Sequence, residues 1–365
     1  MAARILTRRD LNRALLARQL LLERADIPPL QAVESLIAMQ AQLPNPPYTG
    51  LWTRLKSFQR DDLTRQMEAR QVVRVPAMRS TLHLMTGRDY LRLYSAFQPA
   101  LVKGLSSFFG ERGRGMDNAA LVAAAKAFLE EKPRTTGELR AHLLTFAPER
   151  DGDALAYIVR TFLPLVQVPP GGTWGSGSSG AYTTPDNWLG APVEPHPDLR
   201  ALVLRYLAAY GPSSIMDMQT WLGISRLKEA VAPFKAELTI YRDENGVELF
   251  DVPDAPLPPP ETPAPVRFIP EYDNLLIAHA DRTRILPEAY RKQVFLSAGR
   301  VLNTFLVDGF VAGVWKIERA KQTATLVMQP FAPLTASDRD ALLAEGEALL
   351  RFVEDKTETL VVQIA

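Results

Sequence analysis

Two glutamines separated by one alanine, Gln40 and Gln42, are the side chains whose type and spacing best suit chemistry in this sequence. Apolar residues recur upstream at helical spacing, which places Gln40 on the same stripe as Val33 and Ile37. Because Pro44 disfavours helical geometry at the residue before it, we expect the helix to end near this motif. In a more extended backbone, residues two apart share a face, so both amides can point into one cleft.

The glutamines also have a structural alternative, because an amide on an apolar stripe costs stability unless it is hydrogen-bonded. In that alternative, Gln40 caps buried backbone at the end of its helix. The second amide at Gln42 and the rigid Pro-Asn-Pro-Pro turn at residues 44–47 favour a functional site instead.

The composition is typical of a soluble globular protein, since 47% of the 365 residues are hydrophobic and 23% are charged. No apolar run reaches membrane-spanning length and the N-terminus lacks the apolar core of a signal peptide, so we expect a cytoplasmic protein without membrane contact. Cysteine is absent, which excludes disulfides, thiolate nucleophiles and zinc fingers.

The net charge of +1 conceals a basic N-terminal part, because residues 1–92 hold 15 Lys and Arg against 8 Asp and Glu. On the first helix, which Thr7 is expected to cap, we expect four arginines to face outward: Arg8, Arg9, Arg13 and Arg18. Such a bias suits a phosphate backbone, although exposed helices often carry as much.

The first 252 residues repeat one pattern three times, in which helices lead into a short hairpin. The predicted hairpins lie at 72–75 with 81–85, at 165–168 with 181–183, and at 238–241 with 247–250. The second has a glycine- and serine-rich tip at 171–180, expected to be a mobile wing. Capping boxes begin helices in the second and third rounds, at Thr135 with Glu138 and at Ser214 with Asp217. Helices followed by a small hairpin indicate a winged helix-turn-helix.

The chain changes character after residue 252, where a stiff proline-rich connector begins. Three antiparallel strands, a helix at 336–354 and a last strand at 359–364 then predict a small β-rich domain. We therefore predict an α+β fold divided as follows: winged-helix unit 1 with the glutamine motif at 1–87, unit 2 at 88–190, unit 3 at 191–252, the linker at 253–265, and the C-terminal β-rich domain at 266–365.

Three phrases of the sequence, in this order, resemble hallmark segments of the AlkZ/YcaQ-type winged-helix DNA glycosylases. They are AMQAQ followed by PPYTGLWTRL, then MRSTLHLMTGRDY, and then FIPEYDNLLIAHADRTRI. The resemblance implies three tandem winged-helix units and a barrel-like C-terminal β domain, arranged as a C-shaped clamp. The family's catalytic signature is Gln, an apolar residue, then Gln or Asp. It reads Gln40-Ala41-Gln42 here, so the chain resembles the double-Gln AlkZ branch.

The resemblance implies a DNA glycosylase that acts on cationic alkylpurines of the 7-alkylguanine type, including bulky toxin adducts or crosslinks in some members. Alkylation at a ring nitrogen makes the base a good leaving group, so the enzyme has to stabilise the sugar cation and hold a water. Two amides can do this, because each carbonyl oxygen accepts from water and each NH2 donates to DNA.

The motif contains no lysine that could form a Schiff base, so we predict a monofunctional enzyme that leaves an abasic site. We expect no cofactor. The implied partner is double-stranded DNA carrying alkylated bases, bound by a monomer in the cytoplasm at the nucleoid.

Four residues are predicted to contact DNA: Arg79, His83, Phe310 and Arg54. Arg79 lies at the first hairpin turn, where a solvated charge is the alternative, and His83 is either directed to the glutamine cleft or packed between the units. Phe310 follows an Asp-Gly turn and is either a wedge in the minor groove or a buried hairpin residue.

In the segment EYDNLLIAHADR, we expect Asp273 and Arg282 to form a structural ion pair that anchors the C-terminal domain. In the alternative, this segment contributes Asp273, His279 and Arg282 to the lining of the lesion cleft. We predict no metal site, because no second histidine supplies a ligand pair.

Two other classes of function compete with the glycosylase. One is a non-catalytic winged-helix DNA-binding protein, either a regulator or a damage binder. Regulators with one recognition helix per protomer usually dimerise on a two-fold site, whereas three units in one chain suit a monomeric clamp. The other is a protein-interaction array, which the basic N-terminal part disfavours.

Overall fold

The computed structural model describes residues 3–177 and 180–365. Ser178 and Ser179, at the tip of the second predicted hairpin, lie outside the described residues. The fold is a mixed α/β fold of helices and three sheets. In the described ranges, no helix is both long and apolar enough to span a bilayer.

The first part of the chain surrounds a central hairpin with helices, and its first helix begins at the predicted Thr7 cap. Its elements are β1 (Ile5–Leu6), α1 (Arg8–Arg18), α2 (Pro29–Ser35), β2 (Met39–Gln40), α3 (Pro46–Trp52), α4 (Arg60–Glu68), β3 (Val72–Pro76) and β4 (Leu82–Thr86).

The second and third parts confirm the two remaining predicted hairpins and both capping boxes. The second part contains α5 (Gly87–Phe109), α6 (Asn118–Glu131), β5 (Arg134–Thr135), α7 (Thr136–Phe146), α8 (Gly152–Phe162), β6 (Val166–Val168), β7 (Ala181–Thr183) and α9 (Pro185–Leu189). The third contains α10 (Leu199–Tyr210), α11 (Ile215–Leu222), α12 (Leu227–Val231), β8 (Thr239–Asp243) and β9 (Glu248–Asp251).

The last hundred residues form a five-stranded sheet in the order β10-β11-β12-β13-β14. Its elements are β10 (Arg267–Ile269), α13 (Asn274–Ile277), α14 (Arg291–Val294), β11 (Thr304–Val307), β12 (Phe310–Ala320), β13 (Thr323–Pro330), α15 (Ala336–Val353) and β14 (Thr359–Ile364). Leu342 and Leu349 of α15 pack on Phe268 and Leu326 of the sheet. Among the described strands β10 and β14 are edges, so this is an open sheet covered by a helix and the barrel-like expectation is wrong.

The predicted units are joined through their sheets and their core. The hairpins of the first two parts form one sheet in the order β2-β4-β3-β6-β7-β5, bridged where Arg74 pairs with Gln167. Strand β1 pairs in parallel with β8 of the third part. One hydrophobic cluster contains Leu15, Tyr206 and Leu306, which come from three of the predicted domains. The division at residues 87, 190, 252 and 265, the winged-helix description and the clamp shape remain predictions.

The sequence predicts that all four arginines of α1 face outward, and for two of them this is wrong. Arg13 and Arg18 are buried. Arg13 Nε donates to the carbonyl of Thr262 at 2.6 Å, and Arg18 Nε donates to that of Pro256 at 3.1 Å. Arg18 also forms a buried ion pair with Asp251 at 2.7 Å. The carbonyls of the proline-rich linker accept hydrogen bonds from these guanidinium groups. Part of the N-terminal excess of Lys and Arg is therefore buried inside the protein.

Candidate active site

The glutamine motif begins on a two-residue strand at the edge of the largest sheet. Helix α2 ends at Ser35, earlier than predicted, and Ile37 has φ 65°, in the left-handed region that β-branched residues rarely adopt. The extended backbone that follows pairs with β4, and Gln40 lies opposite His83. Strained backbone of this kind tends to occur at functional sites.

Gln40 is buried and its amide is held by Arg79. Arg79 Nη2 donates to Gln40 Oε1 at 2.8 Å, and Nη1 donates to the carbonyl of Trp221 at 2.5 Å. Arg79 itself has φ 53° at the turn between β3 and β4. Burial lowers the pKa of Arg79 to about 10, so the side chain remains a cation at neutral pH. Because Arg79 occupies the amide oxygen, the NH2 group of Gln40 is left to donate to another partner.

Gln42 is in a different environment, since its side chain is exposed. Its Oε1 accepts a hydrogen bond from the backbone N–H of Leu82 at 3.3 Å. The backbone beside it is fixed by Arg74, whose Nε donates to the carbonyl of Ala41 at 2.8 Å and whose Nη2 donates to that of Gln42 at 3.0 Å. Sequence reasoning missed Arg74, although a charge in an otherwise apolar strand was a signal.

Three arginines around the first hairpin lack a counter-ion. Arg74, Arg79 and Arg160 form no ion pair with a carboxylate within residues 3–177 and 180–365. Instead they donate to uncharged oxygens, as Arg160 Nη2 does to the carbonyl of Ser80 at 2.9 Å. Burial lowers the pKa of Arg74, with a smaller contribution from the charge of Arg160. Arg74 is fully buried, whereas Arg79 and Arg160 keep some exposed surface, so the uncompensated charge of these two favours a polyanionic partner.

His83 has no exposed surface, so it cannot contact DNA in this arrangement and the packed alternative applies. Its Nδ1 lies 3.1 Å from the carbonyl of Thr81. Burial, and next the charge of Arg79, lower the pKa of His83 to about 3, so the ring is neutral. A neutral ring that donates from Nδ1 leaves Nε2 as an acceptor, and this atom has no partner among the described residues.

Beside Gln40 lies an inner cavity with a volume of about 10 Å³, close to the minimum that one water molecule needs. Its wall is formed by Gln19, Leu36, Ala38, Met39, Gln40, Pro46, Pro47, Arg54, Tyr210, Pro270, Glu271, Asp273 and Asn274. Asn274 donates from Nδ2 to the carbonyl of Ala38 at 2.7 Å, whereas its buried Oδ1 has no partner among the described residues. An unsatisfied acceptor beside a water-sized space is typical of a water site.

The inner cavity adjoins an outer groove of about 480 Å³, and the two share Pro46, Pro270 and Glu271 in their walls. The outer groove runs between the proline turn, the glycine-rich tip and the C-terminal sheet. The tip is attached to this region, since Asn45 Oδ1 accepts from the backbone of Gly175 at 2.9 Å and Trp174 packs edge-on against Tyr48. Lys316 and Arg319 supply positive charge to the groove.

Arg54 does not reach the groove surface, which corrects its predicted DNA contact. It is buried and makes a bidentate ion pair with Asp273, with Nη1–Oδ2 at 2.8 Å and Nη2–Oδ1 at 2.9 Å. Asp273 does line the inner cavity, but its carboxylate is committed to Arg54. The expected pair between Asp273 and Arg282 is therefore wrong.

The hairpin that carries Phe310 is docked on α1 through its turn. Asp308 at its turn forms ion pairs with Arg9 at 2.6 Å and with Arg13. Asn12 Nδ2 donates to the carbonyl of Gly309 at 2.8 Å, and a Cβ at Gly309 would lie 2.6 Å from the Asn12 side chain. With its turn held in this way, Phe310 is half-buried, and its role as a wedge in the minor groove stays a prediction.

His279 and Arg282 line neither the inner cavity nor the outer groove. His279 is buried and its Nε2 donates to the carbonyl of Tyr210 at 3.0 Å. The guanidinium of Arg282 stacks on Phe295, 4.4 Å from the ring centre. In the described part of the chain, no three His, Cys, Asp or Glu side chains form a group that could hold a metal ion.

The fold and site define a mixed α/β protein in which a buried amide, held by Arg79, lies at a water-sized cavity that adjoins a groove. A family model described as DNA glycosylase AlkZ-like matches residues 33–352, so the chain belongs to the AlkZ-like DNA glycosylase family. This confirms the resemblance drawn from the three phrases, while the double-Gln branch stays a prediction.

Among solved structures, the chain is similar to Streptomyces sahachiroi DNA glycosylase AlkZ. The TM-score is 0.79 and the sequence identity is 23%, over 99% of this chain and 100% of that chain. At this identity, the similarity shows the fold. A comparison with curated proteins finds no match.

Proposed function

We propose that the protein is a monofunctional DNA glycosylase that hydrolyses the N-glycosidic bond of cationic alkylpurines in double-stranded DNA. The observation that carries the proposal is the position of Gln40 at a water-sized cavity that adjoins a large groove. Membership of the AlkZ-like DNA glycosylase family supports the same class of reaction.

In this proposal, the inner cavity holds the water that attacks the sugar. A bound water typically makes about three hydrogen bonds. Among the described residues, neither the NH2 group of Gln40 nor the carbonyl oxygen of the Asn274 side chain has a hydrogen-bond partner. Glu271 adds a carboxylate at the boundary with the outer groove. These three side chains supply both donors and acceptors, so they can fix the position of one water.

The partly exposed guanidinium of Arg79 supports a DNA backbone as the partner. Arg79 also borders a second groove of about 700 Å³ between α5 and α11, which Lys103 lines as well. Arg79 has no carboxylate partner in the described chain. A DNA phosphate can therefore serve as its counter-ion. The ion pair of Lys316 with Glu318 is exposed, so little energy is lost when a phosphate replaces the acid.

The substrate class follows from the weak acid–base power of the motif. Amides cannot protonate a leaving base, so the base has to leave without help. An alkylated purine already carries positive charge and leaves as a neutral base. Lysine is absent from the described wall of the inner cavity, which favours direct attack by water over a Schiff base.

The test is incubation of the purified protein with duplexes that carry one 7-methylguanine, one hypoxanthine or no lesion, followed by hot alkali. Hot alkali also cuts at 7-methylguanine itself, so the cleavage in a reaction without protein is subtracted. We expect additional cleavage only at 7-methylguanine, since alkali cuts the abasic product. We also expect no covalent complex on borohydride treatment. A trapped complex would contradict the monofunctional mechanism, and equal cleavage at hypoxanthine would contradict the cationic substrate.

The alternative is a non-catalytic winged-helix DNA-binding protein. One observation favours it, because the inner cavity is too small to hold a base. A binder of this kind shifts a duplex in a gel but leaves 7-methylguanine attached. Binding without alkali cleavage above the level of the protein-free reaction would therefore replace the enzyme proposal with this one.

A further inference from the structure

One carboxylate at the boundary of the two cavities has no assigned partner. Glu271 lines both the inner cavity and the outer groove. Its side chain makes no hydrogen bond or ion pair in the described part of the chain, and only its backbone N–H is bound, by Asn303 Oδ1 at 2.8 Å. Asp273 is the other acid in the wall of the inner cavity, and both of its oxygens are taken by Arg54. Glu271 is thus the free acid beside Gln40 and Asn274.

The backbone holds Glu271 in a strained turn. Asp273 N donates to the carbonyl of Pro270 at 3.3 Å, which closes a turn with Glu271 and Tyr272 at its centre. Tyr272 has φ 61°, a conformation that a bulky residue rarely adopts. Strain of this kind is retained where the surrounding structure fixes a functional geometry.

We propose that the carboxylate of Glu271 is the general base of the glycosylase reaction, an inference that rests on the proposed function. The water oxygen forms a bond to C1′ of the damaged nucleotide while the bond from C1′ to the purine nitrogen breaks. The electron pair of the broken bond enters the purine ring and cancels its positive charge. The water proton moves to Glu271 and then to solvent. The products are a neutral alkylated base and an abasic site.

The surroundings of Glu271 suit this role. Half-burial raises the pKa of its carboxyl group, while the charge of Arg300 acts in the opposite direction. The other charged groups around the two cavities are the Arg54–Asp273 pair, Lys316 and Arg319. A base whose pKa is raised towards the working pH is a better proton acceptor in the transition state. The negative charge also stabilises the cationic sugar.

The experiment compares wild type, Glu271→Gln and Glu271→Asp on a duplex with one 7-methylguanine, under single-turnover conditions from pH 4 to 9. Spontaneous depurination is subtracted at each pH. We expect the wild-type rate to rise to a plateau as Glu271 loses its proton. We expect Glu271→Gln to be about 100-fold slower at pH 8 and independent of pH. Glu271→Asp is expected to keep the rise with pH at a reduced rate.

The matched control is Glu149→Gln, an exposed glutamate in the loop after α7. It is expected to behave as wild type. A Glu271→Gln rate within threefold of wild type with the same pH profile would overturn the assignment. Should that variant fail to fold, a wild-type rate that does not change with pH would overturn it equally. Absence of excision by wild type contradicts the proposed function itself, so the two failures are distinguishable.

Discussion

Arg79 Nη2 donates a hydrogen bond to Gln40 Oε1 at 2.8 Å, so a cation on the first hairpin fixes the amide beside the inner cavity. The same guanidinium is bound to Trp221 of α11, which belongs to the third part of the chain. Elements more than a hundred residues apart therefore determine the orientation of one glutamine. Arg79, which has no carboxylate partner in the described chain, is thereby linked to the proposed chemistry of Gln40.

Replacing Arg79 by lysine is expected to reduce excision more than DNA binding. Lysine keeps the charge but loses the planar fork that reaches both Gln40 and Trp221. We expect a loss of about 10- to 100-fold in single-turnover rate, because a misplaced catalytic group costs about that much. Affinity for undamaged duplex, measured by gel shift, should change by less than about threefold. A variant with full excision activity would show that the contact with Gln40 is structural.

Gln42→Ala is expected to be milder than any change at Gln40. Gln42 is exposed and bound to the backbone of Leu82, and it does not line the inner cavity. We expect about a tenfold loss in excision rate, equivalent to about 1.4 kcal/mol. Excision and duplex affinity are measured on the same preparation. A loss at Gln42 as large as that at Gln40 would indicate that both amides hold the water, as the sequence first suggested.

Asp273→Asn is expected to destabilise the protein strongly. It leaves the Arg54 guanidinium buried without a counter-ion, which typically costs about 3–5 kcal/mol. Urea unfolding measures the change in the free energy of unfolding. Glu347→Gln is the control, because its pair with Arg351 is exposed and should be worth less than about 1 kcal/mol. Equal effects of the two changes would argue against a structural role for the Arg54–Asp273 pair.

Acid is expected to destabilise the fold through His83. The pKa of His83 is about 3 in the folded protein, and an unfolded histidine has its ordinary value of 6.5. Between pH 6.5 and pH 3, His83 is protonated in the unfolded chain but neutral in the folded protein. The free energy of unfolding therefore falls as the pH drops from 6.5 towards 3. The slope from this residue approaches about 1.4 kcal/mol per pH unit.

His83→Gln is expected to flatten that dependence, as measured by urea unfolding between pH 4 and 7. The exposed His196 provides the matched control, His196→Gln, whose curve should keep the wild-type slope. Parallel curves for His83→Gln and wild type would mean that His83 can take up a proton in the folded state.

Local signals in the sequence predicted most of the elements. The hairpin at Val72–Pro76 and Leu82–Thr86 follows from two β-branched or apolar runs around a turn, and the box of Ser214 with Asp217 follows from capping chemistry. The family resemblance predicts Gln40 as a site residue because the motif AMQAQ, which carries it, is contiguous in the sequence. These features depend on residues close together in the chain.

The errors concern partners that are distant in sequence. Arg54 was read as a DNA contact because nothing near it in the sequence reveals Asp273, its ion-pair partner. Arg13 is expected to face outward because nothing near it in the sequence reveals Asp308, its ion-pair partner. Glu271 was not singled out, since its position between two cavities depends on three separate segments of the fold.

The most direct test of the account is the single-turnover excision of 7-methylguanine by Gln40→Ala beside wild type, at equal fractions of bound duplex. If Gln40 holds the hydrolytic water, the variant should be about 100- to 1,000-fold slower with unchanged affinity, as for loss of one transition-state contact. Excision by Gln40→Ala at the wild-type rate would contradict the central claim.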